Sequence, residues 1–133
     1  MSGDETVRVL VVDDVLAIRQ GINQCLGGSV FQVVGQTRNG QEGIDLAKEL
    51  QPDVVLLDIV MPVMQGYEAL PEIRAAVPDG LVVMLTSTSE RELVLQCRKL
   101  GADAFVIKHD NMRETLTERL TALWRNRRAK PAS

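Results

Sequence analysis

Five short apolar runs, each followed by a segment of helical period, constrain this chain more than any other feature of its sequence. The runs are Val7 to Val12, Phe31 to Gly35, Val54 to Leu57, Leu81 to Leu85 and Ala104 to Ile107. They are nearly continuous rather than alternating, the pattern of strands buried on both faces. Between them, Val15, Ile18, Ile22, Cys25 and Leu26 form one helical stripe. Ile44, Leu46, Ala47 and Leu50 form a second, Leu93, Val94, Cys97 and Leu100 another, and Leu116, Leu120, Leu123 and Trp124 the last. The pairs Asn39/Glu42, Ser89/Glu92 and Asn111/Glu114 have the spacing of capping boxes at helix starts. Gly66 to Val77 is the weakest helix because Pro71 lies inside it, although a proline in a first turn costs little.

A β-α unit repeated five times implies an α/β fold, a doubly wound parallel sheet with helices on both faces and right-handed crossovers. A chain of 133 residues accommodates one such domain and buries enough surface to fold without disulfides or a structural metal. The only aromatic residues are Phe31, Tyr67, Phe105 and Trp124, too few for a nucleic-acid stacking platform or a ring sandwich around a flavin. Cys25 and Cys97 stand alone in helical segments, without ligand spacing to the single His109, and read as reduced packing residues. No run approaches the roughly 18 to 20 apolar residues of a membrane span, which gives a cytoplasmic expectation. Four basic residues, Arg125, Arg127, Arg128 and Lys130, crowd the last nine positions. The remainder has eleven basic against eighteen acidic residues, a net −7, so the basic end reads as a solvated terminus rather than a nucleic-acid face.

In an open parallel sheet, ligands bind outside the carboxyl ends of the strands. The first strand ends in Asp13 and Asp14, the third in Asp58, the fourth in Thr86 and the fifth in Lys108. Each has an ordinary structural explanation alone, as cap, strand end or solvated lysine. Together they bring three carboxylates, a hydroxyl and an ammonium to one edge. Crowded carboxylates repel and raise one another's pKa unless a cation sits among them, and a hard divalent ion such as Mg²⁺ meets that need. With Lys108 added, the site suits a dianionic phosphoryl group rather than a neutral ligand.

On these residues the chain resembles the receiver domain of bacterial two-component response regulators. The resemblance spans about residues 7 to 125. It rests on Asp13-Asp14 after Val-Leu-Val-Val, on Asp58-Ile59-Val60-Met61-Pro62-Val63-Met64-Gln65-Gly66 as the family's D-x-x-M-P-x-x-x-G, on Thr86-Ser87 after Val-Val-Met-Leu, and on Lys108. It implies a flavodoxin-like (βα)5 sheet in strand order 2-1-3-4-5, an order shared with the family's single-domain chemotaxis regulators. It also implies that Asp58 is the phosphoacceptor, taking a phosphoryl group from the phosphohistidine of a histidine kinase or phosphotransfer protein. Asp14, Asp58 and the backbone carbonyl of Val60 would hold Mg²⁺ directly, and Asp13 through a water. Thr86 and Phe105 take the switch positions, read by a protein effector or a second copy on the face of the last two helices and the strand between them. Neither nucleic acid nor membrane is an expected partner of this domain. The only expected chemistry is self-catalysed transfer to Asp58 and slow autodephosphorylation, so the chain is not expected to be an enzyme.

The sequence departs from the family pattern in two places. His109 follows Lys108 where the family usually has proline, which leaves open a trans loop of different shape or a costly cis bond; His109 itself reads as an exposed loop residue. Val60 and Thr88 hold the positions that govern water access to the acyl phosphate, and the apolar Val60 implies a long phosphorylated lifetime. A haloacid-dehalogenase-type phosphatase would need a second acid two residues past its nucleophile, where Val15 or Val60 stands. A degenerate receiver acting only as an interaction module does not suit the intact acids, Thr86 and Lys108. Arg91, Arg98, Lys99 and Arg119 read first as a solvated helix face, with a docking or dimer surface as the alternative. The expected organisation is an N-terminal extension over 1–6, the receiver over 7–125, and a basic tail or the start of a linker over 126–133.

Overall fold

The computed structural model describes residues 5–61, 64–87, 91–108 and 112–129. Within them the elements alternate as β1 (Val7–Val12), α1 (Leu16–Leu26), β2 (Phe31–Thr37), α2 (Gly40–Leu50), β3 (Val54–Asp58), α3 (Gly66–Ala76), β4 (Leu81–Thr86), α4 (Arg91–Lys99), β5 (Ala104–Ile107) and α5 (Met112–Ala129). The strands form one parallel sheet in the order β2-β1-β3-β4-β5.

Side-chain alternation divides the apolar runs between two cores. Val7, Val9 and Val11 of β1 and Val54 and Leu56 of β3 meet Ile22 and Leu26 of α1 and Leu116 and Leu120 of α5 on one face. Leu10, Val12, Val55 and Leu57 meet Ile44 of α2, Leu70 and Ile73 of α3 and Cys97 of α4 on the other. Both faces need apolar residues, so no polar alternation survives in the central strands. Full burial of each such side chain is worth about 1.5–3 kcal/mol.

Three strands run past their expected ends. β2 continues to Thr37 because its ladder with β1 persists through Leu10↔Gly35, Val11↔Gln36 and Val12↔Thr37, after a register shift at Val9/Leu10. β2 is an edge strand, and its exposed Gln36 hides this extension from a hydrophobic pattern. β3 and β4 likewise take in Asp58 and Thr86, so both polar groups are part of the sheet.

Helix starts follow the sequence in part. Asn39 caps α2 by accepting the Glu42 N–H at 2.9 Å, while the Glu42 carboxylate turns to Asn39 Nδ2 and Thr37 Oγ1. Those bonds hold the Glu42 carboxyl below its usual pKa, Thr37 contributing most. Ser89 and Asn111 lie outside the described residues. Pro71 is the sixth residue of α3, beyond the first turn, where its ring removes a backbone donor. The helix persists because Ala69, Leu70 and Ile73 are buried on the inner side, and Pro71 faces out.

At the far end of α3, Arg74 donates to the carbonyls of Val77, Pro78, Gly80 and Gly101 and pairs with Asp103 at 2.9 Å, tying together the turns that feed β4 and β5. α5 runs to Ala129, past the boundary expected at 125, with the Arg127 guanidinium 5.3 Å from the centre of the Trp124 ring. Arg127 is thus held against an aromatic face rather than left in a loose tail. Among the described residues, Cys25 and Cys97 form no disulfide and no helix is long and apolar enough to cross a membrane. Burial raises the Cys97 pKa.

Candidate functional site

The strand order reverses at β1, which has β2 on one side and β3 on the other, and a crevice opens at the carboxyl ends of β1 and β3. Asp13 directly follows β1, and Asp58 is the last residue of β3. Both are buried, and Asp14 is more open to solvent. Asp13, Asp14 and Asp58 each bring a carboxylate oxygen within 4.8 Å of the others.

Lys108, just beyond β5, bridges two of them, its Nζ 2.7 Å from Asp13 Oδ2 and 3.1 Å from Asp58 Oδ2. Its own N–H donates to the Thr86 carbonyl at 2.7 Å, which fixes the ammonium's origin to the end of β4. Asp13 Oδ1 accepts the Val15 N–H at 2.9 Å, and Asp58 Oδ1 faces the Val60 N–H at 3.4 Å. Asp13 is therefore not the helix cap that its place after a strand suggests, because the cap residue of α1 is Val15; one carboxylate oxygen shapes the loop while the other meets Lys108.

Electrostatics separates these groups. Burial, then the neighbouring Asp13 charge, pushes the Asp58 carboxyl up to about 7 against the opposing pull of Lys108. Burial acts against the Lys108 charge, but the Asp13 and Asp58 carboxylates outweigh it and hold its pKa above that of an ordinary lysine. The cluster is thus short of positive charge. An open cavity of about 400 Å³ lies over it, lined by Asp14, Asp58, Thr86 and Lys108 with Val15 and Val60 at the apolar rim. A larger opening of about 580 Å³ lies by the amino ends of the strands, among Asn23, Gly28 and Phe31. Size does not select the site; convergence of charged groups does.

Thr86 is buried at the end of β4, and Phe105 is half-buried on β5, opposite Met84 in register. By the two-residue alternation of a strand, Met84, Thr86 and Phe105 share the sheet face that α3 and α4 cover. The Arg98 guanidinium of α4 lies 5.7 Å from the centre of the Phe105 ring, and Arg119 of α5 donates to the Phe105 carbonyl at 3.2 Å. Arg98 and Arg119, read from sequence first as solvated charges, both meet this residue. Thr88, His109 and the Lys108-His109 bond lie outside the described residues, as do Pro62 and Val63.

Comparison with known proteins decides the family. The response regulator receiver domain model matches residues 9–121. The chain belongs to this family. It is 37% identical over 109 residues to the nitrate/nitrite response regulator protein NarL of Escherichia coli K12, covering 81% of this chain and 50% of that protein. The chemotaxis protein CheY of Thermotoga maritima is 34% identical over 101 residues, covering 76% of this chain and 84% of that one. The chain thus spans about half the length of the NarL relative and most of the CheY one. Among solved structures, the response regulator domain of Thermotoga maritima CheB superposes with a TM-score of 0.81 at 28% identity, over 95% of this chain and 99% of that one. The CheY of a CheX-CheY-BeF3-Mg complex from Borrelia burgdorferi gives 0.82 at 27% identity, over 89% of each chain. As a receiver domain, the chain has an acidic cluster of Asp13, Asp14 and Asp58 that fits a phosphorylation site and is able to hold a metal.

Two further residues hold the site from outside the cluster. Gly66, which closes the D-x-x-M-P-x-x-x-G motif and opens α3 as the sequence suggests, seats the first turn of that helix directly on the Asp58 backbone. Arg19 lies in a helical segment with no motif to mark it, and its Nη1 donates to the Asp13 main-chain oxygen at 2.6 Å. The motif marks Gly66 but not what it touches, and the Arg19 contact has no signal in one sequence, because it depends on which element lies opposite.

Proposed function

We propose that this chain is the phosphoacceptor receiver of a two-component system, with Asp58 as the residue phosphorylated by a histidine kinase or phosphotransfer protein. The observation that carries this reading is the convergence of three carboxylates within 4.8 Å, with Lys108 bridging Asp13 and Asp58 beneath an open cavity.

The donor set fits Mg²⁺, being made of hard oxygens with an excess of negative charge. Asp14, Asp58 and the Val60 carbonyl would hold the ion directly. Asp13, whose two oxygens already meet Val15 and Lys108, suits an indirect role. Bound Mg²⁺ supplies positive charge next to the phosphoryl oxygens. An Asp58 oxygen forms its bond to phosphorus as the phosphohistidine P–N bond breaks, and Lys108 compensates charge on the transferring group. Thr86 then donates its hydroxyl to the acquired phosphoryl group. Its inward movement changes the space behind it on the face shared with Phe105, and so biases the two packings of that ring. Phe105 has no hydroxyl, so packing and the Arg98 contact separate those packings. Output then passes through α4, β5 and α5 to a protein effector or a second copy.

The reading is tested by Mg²⁺-dependent labelling with acetyl phosphate, followed by intact-mass spectrometry. One added phosphoryl group is expected on the wild-type chain and none on Asp58→Asn. Labelling that persists in the variant would overturn the acceptor assignment. Val60 is 56% exposed at the cavity rim and cannot orient a water. Replacing it with Asn or Glu is expected to shorten the phosphorylated lifetime a few-fold or more, measured as loss of label after donor removal. An unchanged lifetime counts against the rim role.

A further inference from the structure

Asp13 is held by four different parts of the fold. Its N–H donates to the Thr37 carbonyl at 3.0 Å, Oδ1 accepts the Val15 N–H, Oδ2 meets Lys108, and its main-chain oxygen accepts from Arg19 at 2.6 Å. The first three contacts fix the strand end and the side chain. The Arg19 contact acts on the peptide plane that joins Asp13 to Asp14. A rotation of that plane swings the Asp14 backbone, and with it the direction in which the Asp14 carboxylate leaves the chain.

Local structure offers little else to hold this peptide. The cap residue of α1 is Val15, which makes no side-chain cap bond, and the first turn of the helix carries no acid. Val15 and Leu16 are exposed, so packing does not clamp the loop either. Arg19 is half-buried one turn into α1, a helix anchored in the core by Ile22 and Leu26. A guanidinium rooted there ties a weakly supported loop to a rigid helix.

We propose that Arg19 is a positioning residue for the acidic ion site: its bond to the Asp13 carbonyl sets the Asp13-Asp14 peptide so that the Asp14 carboxylate stands within reach of Asp58. The inference rests on reading Asp13, Asp14 and Asp58 as a Mg²⁺ site. Arg19 touches neither the ion nor the phosphoryl group. Its contribution is geometric, and a guanidinium matters because it holds a preorganised planar donor at the carbonyl.

The test uses the full chain and Mg²⁺ alone, without a phosphodonor. Mg²⁺ affinity is read from amide NMR shifts at Asp58 and Ile59, and metal-free stability from urea unfolding in EDTA. Arg19→Met keeps the aliphatic stem and removes the donor. It is expected to weaken Mg²⁺ binding about tenfold, the low end for substitutions one step removed from metal ligands. The metal-free midpoint should barely move, while the Asp14 amide resonance shifts. Arg19→Lys, which restores a donor, is expected to recover part of the affinity. Mg²⁺ binding by Arg19→Met within about twofold of wild type, or an Arg19→Lys variant no tighter than Arg19→Met, would overturn the proposal. Failure of the unaltered chain to bind Mg²⁺ would instead overturn the ion site on which it rests.

Discussion

Asp58→Asn is expected to make the metal-free protein more stable at pH 8, by on the order of 3 kcal/mol, while abolishing phosphorylation. Asp58 is 4% exposed, and burial together with the Asp13 charge raises its pKa from 3.8 to about 7. A shift of roughly three pH units corresponds to about 4 kcal/mol of preference for the neutral form. Above pH 7 the folded protein carries an ionised Asp58 at that cost, and the unfolded chain does not. An asparagine has nearly the same shape without the charge. Its amide donor faces Lys108 less favourably than a carboxyl does, which returns part of the gain. Lys108 keeps its 2.7 Å contact with Asp13, so the substitution does not strand a buried cation.

The sign of the pH dependence follows. Between about pH 4 and 7 the folded state holds a proton on Asp58 that the unfolded state has released. Stability attributable to this group therefore falls as pH rises through that window, and the loss is complete above the folded pKa. The gap between wild type and Asp58→Asn should open from near zero at pH 4 to its full value at pH 8. Added Mg²⁺ should narrow it by stabilising only the wild-type site. Urea unfolding in EDTA at the two pH values measures this. Equal stabilities at pH 8, or a less stable asparagine variant, would show that the acceptor is not held at a cost.

What the sequence shows of this molecule is what local pattern and the overall fold both dictate. The five strands and the two-sided sheet follow from apolar runs that bury both faces, because hydrophobic pattern and local propensity agree there. The carboxylates, Thr86 and Lys108 were legible because the fold sends strand ends to one edge, and their residue types are unusual together. The extension of β2 was hidden, since an edge strand bearing Gln36 and Thr37 carries no apolar signature. The continuation of α5 was hidden by basic residues that look solvated, one of which stacks on Trp124. Contacts between elements distant in sequence were least visible. Arg98 and Arg119 converge on Phe105 from different helices, and only the packing of α4 and α5 around β5 brings them there.

At Gly66 the motif marks the residue but not its contact, and Gly66→Ala should be disruptive even though alanine is the better helix former. Gly66 is buried at the first position of α3. A Cβ built there overlaps the Asp58 carbonyl oxygen, lies 2.7 Å from the Asp58 carbonyl carbon and 3.1 Å from Ile59 Cα. All three are backbone atoms, so no side-chain rotation relieves the clash. Neither partner yields easily: α3 is anchored by Ala69, Leu70 and Ile73, while Ile59 is tied to β4 through its N–H to the Leu85 carbonyl at 3.0 Å. Alanine gains about 1 kcal/mol of helix propensity over glycine. Overpacking against fixed atoms costs roughly 1–3 kcal/mol and sometimes more. With backbone on both sides the clash takes the upper end of that range, about 3 kcal/mol, for a net destabilisation of about 2 kcal/mol. Any relaxation that spares the fold moves the Asp58 main chain, and an acceptor misplaced by about 1 Å loses on the order of a hundredfold in rate. Urea unfolding and acetyl phosphate labelling of Gly66→Ala measure the two effects separately. Wild-type values for both would mean that Gly66 marks only a turn, and that the seat of α3 on Asp58 does not help to hold the acceptor in place.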